Sequence, residues 1–232
     1  MRRLLIPLTA ALAMYADPVV ALFDSVLLPD SYSAGPTWGV VADSDTKQPI
    51  GGVLVIAMWN LGETNHPLQA MESVTNAKGE FRMLAWGPIA RRSGTAIGDS
   101  DPILIFYKPG YAKLGRESNY WSAPGENPRL RLPDRTFAYN GETTFLKKYN
   151  GSLEGYIGYL FALETQLSYV LEGQDRCRWK EVPRTIRMLE DETNRLLASK
   201  PNRGAYFSAR RLMQRPECAP VVDFLRKYEE PY

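Results

Sequence analysis

Hydrophobic and polar residues follow two different rhythms along this chain. From Trp38 to about Asp134 the apolar residues come in short runs broken by Gly, Pro, Asn and Asp, which is the grammar of strands and turns. Gly39 to Asp43 reads as one strand, Ser44 to Ile50 as a polar turn ending in Pro-Ile, and Val53 to Trp59 as a near-continuous apolar strand of a sandwich interior. Glu72 to Leu84 repeats strand–turn–strand as a hairpin around Asn76-Ala77-Lys78-Gly79, with Gly79 in the left-handed position. Phe81 to Trp86 runs to Gly87-Pro88, Ile103 to Tyr107 forms a buried strand ending at Lys108-Pro109-Gly110-Tyr111, and Arg129 to Leu132 alternates as a final half-exposed strand.

From Gly151 the period lengthens to three and four. Leu153, Tyr156, Ile157, Leu160, Phe161, Glu164, Leu167 and Leu171 share one face of a helix that ends at Gly173. Pro183 opens a second helix, with Ile186, Leu189, Thr193, Leu196 and Leu197 on its apolar face, and Pro201 stops it. A third runs from Tyr206 to Met213 and a fourth follows Pro220. The expected class is therefore α+β, a β-sandwich followed by a layer of three to four helices.

The start of the chain carries an address. Arg2-Arg3 followed by the apolar run Leu4 to Ala13 has the layout of a secretory signal, with small residues before candidate cleavage points. The run is too short, and too interrupted by Pro7 and Asp17, for a membrane span. The organisation expected is a signal peptide at 1–21, a linker at 22–37, the sandwich at 38–135 and a helical region at 150–232.

The strand motifs also carry a resemblance. Gly39-Val40-Val41-Ala42-Asp43, then Pro49-Ile50-Gly51-Gly52-Val53, then Thr75-Asn76-Ala77-Lys78-Gly79-Glu80-Phe81 resembles the carboxypeptidase regulatory-like, or transthyretin-like, β-sandwich family over roughly residues 38–115. The resemblance implies a Greek-key sandwich used mainly for binding or scaffolding. An enzymatic cousin of that fold, a ureide hydrolase, relies on several histidines and a Tyr-Arg-Gly-Ser tail. This chain holds one histidine and reads Glu229-Glu230-Pro231-Tyr232, so that role is not expected.

Composition narrows the function further. With 28 basic and 26 acidic side chains the net charge is +2, too little for a nucleic-acid partner. His66 is the single histidine and sits in a polar loop, which leaves no zinc set and no Ser-His-Asp triad. Asp43-Ser44-Asp45 and Asp99-Ser100-Asp101 suit turns better than a calcium loop, because the remaining ligand positions are missing. No pair among Glu117, Glu126 and Glu142 is singled out for glycoside hydrolysis. The two cysteines, Cys177 and Cys218, are expected to form one disulfide in an oxidising compartment. Trp38, Trp59 and Trp86 fit core positions of strands, whereas Tyr120 and Trp121 lie in a Ser/Pro/Gly/Asn loop and are candidates to stack on a sugar or protein.

The function expected is an exported, non-catalytic, envelope-associated binding or scaffolding protein without cofactor or metal, its partner an envelope protein or glycan. The alternatives are a carbohydrate-binding module using Tyr120 and Trp121, and a hydrolase with carboxylates between sandwich and helices.

Overall fold

The computed structural model describes residues 31–60, 67–90, 102–112, 117–118, 137, 139–172, 177–199, 218 and 221–228. The expected signal at 1–21, the strand at 129–132, the helix at 206–213 and His66 lie outside them. The described strands are β1 (Ser31–Ala34), β2 (Thr37–Asp43), β3 (Leu54–Asn60), β4 (Pro67–Val74), β5 (Glu80–Met83), β6 (Trp86–Ala90), β7 (Ile103–Tyr107), β8 (Tyr111–Ala112), β9 (Glu117–Ser118) and β10 (Thr143–Lys148). The helices are α1 (Leu153–Glu172), α2 (Pro183–Ser199) and α3 (Val221–Leu225), with 3-10 turns at Arg178–Glu181 and Arg226–Tyr228. The class is mixed α+β, strands first and helices on the C-terminal side.

Two four-stranded sheets, ordered β5-β2-β10-β8 and β4-β3-β7-β9, share one core, and β1 pairs with β6 as a separate ribbon. Alternation along β3 shows how the layers stack. Val53, Val55, Ala57 and Trp59 join Val41, Phe81, Met83, Leu104, Phe106 and Leu146 between the two sheets. Leu54, Ile56 and Met58 point the other way, with Ile103, Ile105 and Tyr107, onto Tyr156, Leu160, Leu163, Leu167, Ile186 and Leu189 of the helices. An antiparallel sheet normally needs one apolar face; here both are covered, which is why β3 and β7 read as unbroken apolar runs. The layers run sheet, sheet, helices.

Several expectations need correction. Glu72 to Leu84 is not a hairpin: β4 pairs with β3 and β5 pairs with β2, so the turn between them crosses from one sheet to the other. The turn chemistry expected is nevertheless present. Asn76 Oδ1 accepts from the amides of Lys78 and Glu80 at 2.9 and 3.0 Å, and Gly79 has φ +75°. Local residues set the turn, but pairing is decided by which neighbouring strand offers apolar surface. The run Phe81 to Trp86 is likewise two strands, broken at Leu84-Ala85, with Trp86 opening β6. Part of the expected linker, Ser31–Ala34, is a strand.

β10 was not expected. It lies parallel to β2, with Thr143 opposite Val40 and Phe145 opposite Ala42. Its two buried residues, Thr144 and Leu146, are too few to give a period. Phe161, placed on the apolar face of α1, is instead 62% exposed, and Leu163 takes an inward position. The buried side of α1 runs through Tyr156, Leu160, Leu163, Leu167 and Val170, which turns Phe161 to the outside.

Cys177 and Cys218 are joined by a disulfide, with Cα atoms 5.3 Å apart and a sequence separation of 41. Closing a loop of that length restricts the unfolded chain by about 4 kcal/mol in the chain-entropy account. It ties the 3-10 turn at Arg178–Glu181 to the segment before α3.

The residues of the strand motif form a clasp. Thr75 Oγ1 donates to the Ile50 carbonyl at 2.7 Å and accepts from the Val53 amide at 2.8 Å, fastening one sheet crossing to the other. Gly79 lies against Val41, whose amide donates to the Gly79 carbonyl at 2.8 Å, and any Cβ at Gly79 would collide with the Val41 carbonyl. Gly79→Val should therefore cost more than about 1 kcal/mol through strain at positive φ. Phe81→Ala, which empties a buried aromatic site between the sheets, should cost about 3–5 kcal/mol. Chemical denaturation of both variants checks this, and values near zero would contradict the clasp.

Candidate functional site

Three carboxylates among the described residues, Asp43, Glu72 and Glu192, are buried or half-buried, and each is held by its neighbours. Asp43 ends β2, and its Oδ1 accepts from the amides of Asp45 and Thr46, both at 2.9 Å. Its Oδ2 accepts from the Tyr111 hydroxyl at 3.3 Å, linking β2 to β8. The Thr46 amide is the foremost reason that this carboxyl sits below its ordinary range. Asp43 is thus a turn-former that also fastens two strands, and Asp99 and Asp101 lie outside the described residues.

Between sheet and helices lie two buried carboxylates. Glu72 on β4 faces the first turn of α2, where it accepts from the Arg184 and Thr185 amides at 2.8 and 2.9 Å and from the Thr185 hydroxyl at 2.9 Å. The residue before Pro183 is Val182, which has no acceptor to cap its own helix, so Glu72 supplies the cap from another element. Burial pushes Glu72 above its usual carboxyl range, against the pull of those donors and of Arg184. Nearby, Arg178 donates to the carbonyls of Pro67 and Leu68, and Glu181 accepts from the Ala70 amide at 3.0 Å. The 3-10 turn thereby covers the outer edge of β4, which would otherwise present unpaired backbone groups.

Glu192 on α2 is the second. Arg195 grips it through two bonds of 2.6 and 2.7 Å. Burial alone would raise this carboxyl, but Arg195 and the Tyr156 hydroxyl outweigh it and hold Glu192 below its usual range. Tyr156 in turn accepts from the Gly110 amide at 3.0 Å, joining α1 to the turn after β7. The Tyr107 hydroxyl is buried beside Tyr156 without a well-aligned partner. Carboxylates do lie between sandwich and helices, as the hydrolase alternative requires, yet each is engaged in joining elements. The arrangement serves docking of the helical layer.

Exposed apolar side chains tell a different story. Among the described residues the large ones are Leu84 (69% exposed), Phe161, Phe145 (44%) and Trp38 (40%). Three of these four share one surface, the outer face of β5-β2-β10-β8. Trp38 points outward between buried Thr37 and Gly39, Phe145 between buried Thr144 and Leu146, and Leu84 continues the outward alternation of Glu80 and Arg82 just past β5. Trp38 stands opposite Arg82, and Lys47 lies 4.5 Å from the centre of the Phe145 ring. This corrects the placement of Trp38 in the core: β2 is apolar on both sides, and length alone does not reveal which side is covered. Trp59 is fully buried, and Trp86 packs edge-on against it at 5.4 Å between centroids.

The frame around Trp38 is rigid. Its amide donates to Asn140 Oδ1 at 2.9 Å, and its carbonyl accepts from the Gly141 amide at 3.0 Å. Asn140 also donates to the Pro36 carbonyl at 3.0 Å. The exposed indole therefore projects from backbone fixed on both sides. Tyr120 and Trp121, the stacking candidates from sequence, lie outside the described residues, as does Glu126. Glu142 is exposed at the entrance to β10.

No protein-family model and no curated protein sequence matches this chain.

The two buried carboxylates should behave as joints. Glu72→Ala removes three accepted bonds and should cost about 1–3 kcal/mol. For Glu192 the folded carboxyl titrates below the unfolded one, so its contribution is present above the ordinary glutamate range and is lost as pH falls through the folded value. The stability gap between the natural chain and Glu192→Gln should therefore be widest near about pH 7 and shrink towards about pH 3. Thermal melts of both proteins across that range check the sign, and a gap that widens on acidification would contradict it.

Proposed function

We propose that this chain is an exported, non-catalytic binding or scaffolding protein of the cell envelope, built on a carboxypeptidase regulatory-like Greek-key sandwich, that engages its partner on the outer face of β5-β2-β10-β8. The observation that carries the reading is the gathering of Trp38, Leu84 and Phe145 on that one face. Single exposed apolar residues are ordinary on a soluble surface; three on the outer face of one sheet support a contact surface there. The fold supports the family reading through its clasp: Thr75, Asn76, Gly79 and Phe81 each have a job that accounts for the residue type at that place in the motif. The parallel pairing of β10 with β2 supports a sandwich closed by a long return connection.

Export is supported by the disulfide, which persists in oxidising compartments. Among the described residues no helix is long and apolar enough to cross a membrane. The absence of catalysis is supported by the way Glu72, Glu192 and Asp43 are committed to structural bonds.

Sedimentation with isolated cell envelopes tests the reading. The purified chain should co-sediment, and the double variant Trp38→Ser, Phe145→Ser should stay in the supernatant while melting at the same temperature as the natural chain. A natural chain that remains in the supernatant, or a variant that still sediments, would contradict the assignment of this face.

A further inference from the structure

The chain holds two Asn-Gly pairs, Asn140-Gly141 and Asn150-Gly151, and the fold treats them in opposite ways. Such a pair is chemically labile in water. Glycine has no Cβ to shield its amide, so the nitrogen that follows the asparagine can reach the side-chain carbonyl carbon. Attack closes a succinimide ring, and the side-chain nitrogen leaves as ammonia. In a folded protein the outcome depends on how free the two reacting groups are.

At the first pair neither group is free. Asn140 is half-buried and bonded at both ends of its side-chain amide: Oδ1 accepts from the Trp38 amide at 2.9 Å, and Nδ2 donates to the Pro36 carbonyl at 3.0 Å. The nitrogen that would attack is engaged as well, since the Gly141 amide donates to the Trp38 carbonyl at 3.0 Å. Bringing Gly141 N onto Asn140 Cγ means giving up all three bonds together.

The second pair lies at the junction of β10 and α1, between two fixed points. The Tyr149 amide donates to the Gly110 carbonyl at 2.9 Å, and Ser152 caps α1 by accepting from the Gly155 amide on its Oγ at 3.1 Å. Asn150 and Gly151 between them are exposed, and among the described residues neither the Asn150 side chain nor the Gly151 N–H enters a hydrogen bond. The fold itself demands the glycine. The Tyr149 ring lies against it, with its hydroxyl donating to the Ser152 carbonyl at 3.0 Å, and any Cβ at Gly151 would collide with that hydroxyl. The fold makes no such demand for the asparagine before it.

We propose that Asn150 is a self-modification site, losing its side-chain amide to attack by the Gly151 nitrogen, while Asn140, in the same dipeptide, is locked by the frame around Trp38. The balance needs only water. The bond from Gly151 N to Asn150 Cγ forms, the Cγ–Nδ2 bond breaks, and ammonia departs with the Gly151 proton. Water then opens the ring at either carbonyl, giving aspartate or isoaspartate at position 150. Either product adds one negative charge, taking the formal net charge from +2 to +1. That charge arrives just before the N-terminus of α1, where a helix favours it. The chemistry stands whether or not the outer face of β5-β2-β10-β8 binds a partner.

Peptide mapping by mass spectrometry tests the site. Trypsin cuts after Lys147 and Lys148, which puts the two asparagines on different peptides. In the full folded chain kept at neutral pH, Asn150 should convert to aspartate and isoaspartate, faster as the pH is raised. Asn140 should convert at least about tenfold more slowly, because its reaction waits for local opening. In urea both should convert at similar rates, since the frame around Trp38 is gone. Asn150→Asp, which installs the product directly, should melt at the temperature of the natural chain because it loses no bond.

An Asn150 that stays intact in the folded chain would overturn the proposal, as would an Asn140 that keeps pace with it. An Asn140 equally slow in urea would show that the fold is not what protects it. An Asn150→Asp chain that melts lower would show that the Asn150 side chain is not free, and either result contradicts the assignment.

Discussion

The central strands β3 and β7 are buried on both faces, and the rest of the molecule is arranged around that fact. Leu54, Ile56, Ile103, Ile105 and Tyr107 would be left in water if the helices were absent, and Val53, Val55, Trp59, Leu104 and Phe106 if the second sheet were absent. Each large aliphatic side chain so buried contributes on the order of 1.5–3 kcal/mol, and domains are stable by only about 5–15 kcal/mol in total. Neither outer layer can be dispensed with on those magnitudes. The helices are a third layer, packed in the second of the two hydrophobic clusters that β3 and β7 separate, and their docking engages several buried polar groups. Glu72 caps α2, Glu192 holds Arg195 and Tyr156, and Arg178 with Glu181 covers the β4 edge. By contrast the exposed pair Asp223–Arg226 adds little, as surface ion pairs do.

The proposed function rests on what that arrangement leaves uncovered. One sheet is enclosed; the other, β5-β2-β10-β8, has an inner face in the core and an outer face towards solvent. Its outer residues Trp38 and Phe145 keep 40% and 44% of their surface in solvent, and β2 and β10, which carry them, pair with each other. Rigid presentation of a few large side chains lowers the entropy lost on binding, which is the physical advantage of placing a contact surface on a sheet rather than a loop.

The boundaries of α1 and α2 were legible in the sequence because Gly173, Pro183 and Pro201 punctuate them and their apolar period is long. The turn at Asn76–Gly79 was legible because a left-handed position and an Asx turn are local events. What the sequence did not reveal was long-range. Whether β4 and β5 pair with each other or with other strands depends on competition among apolar surfaces distant in sequence, and both outcomes share one local pattern. β10 was missed because its inward side holds only Thr144 and Leu146. The exposure of Trp38 was missed for a related reason: beside Val40 and Val41 it looks like core until the covered side is known. The cap that Glu72 lends to α2 is likewise a long-range contact that no local pattern reveals.

Native-state hydrogen exchange under mild denaturant tests the shared core most directly. If β4-β3-β7-β9 is one unit with both its covering layers, amides of β3, β7, α1 and α2 should lose protection together, with the free energy and denaturant dependence of global unfolding. Helices that open well below global unfolding while β3 and β7 stay protected would show that the sheet stands without its third layer, and would contradict the account.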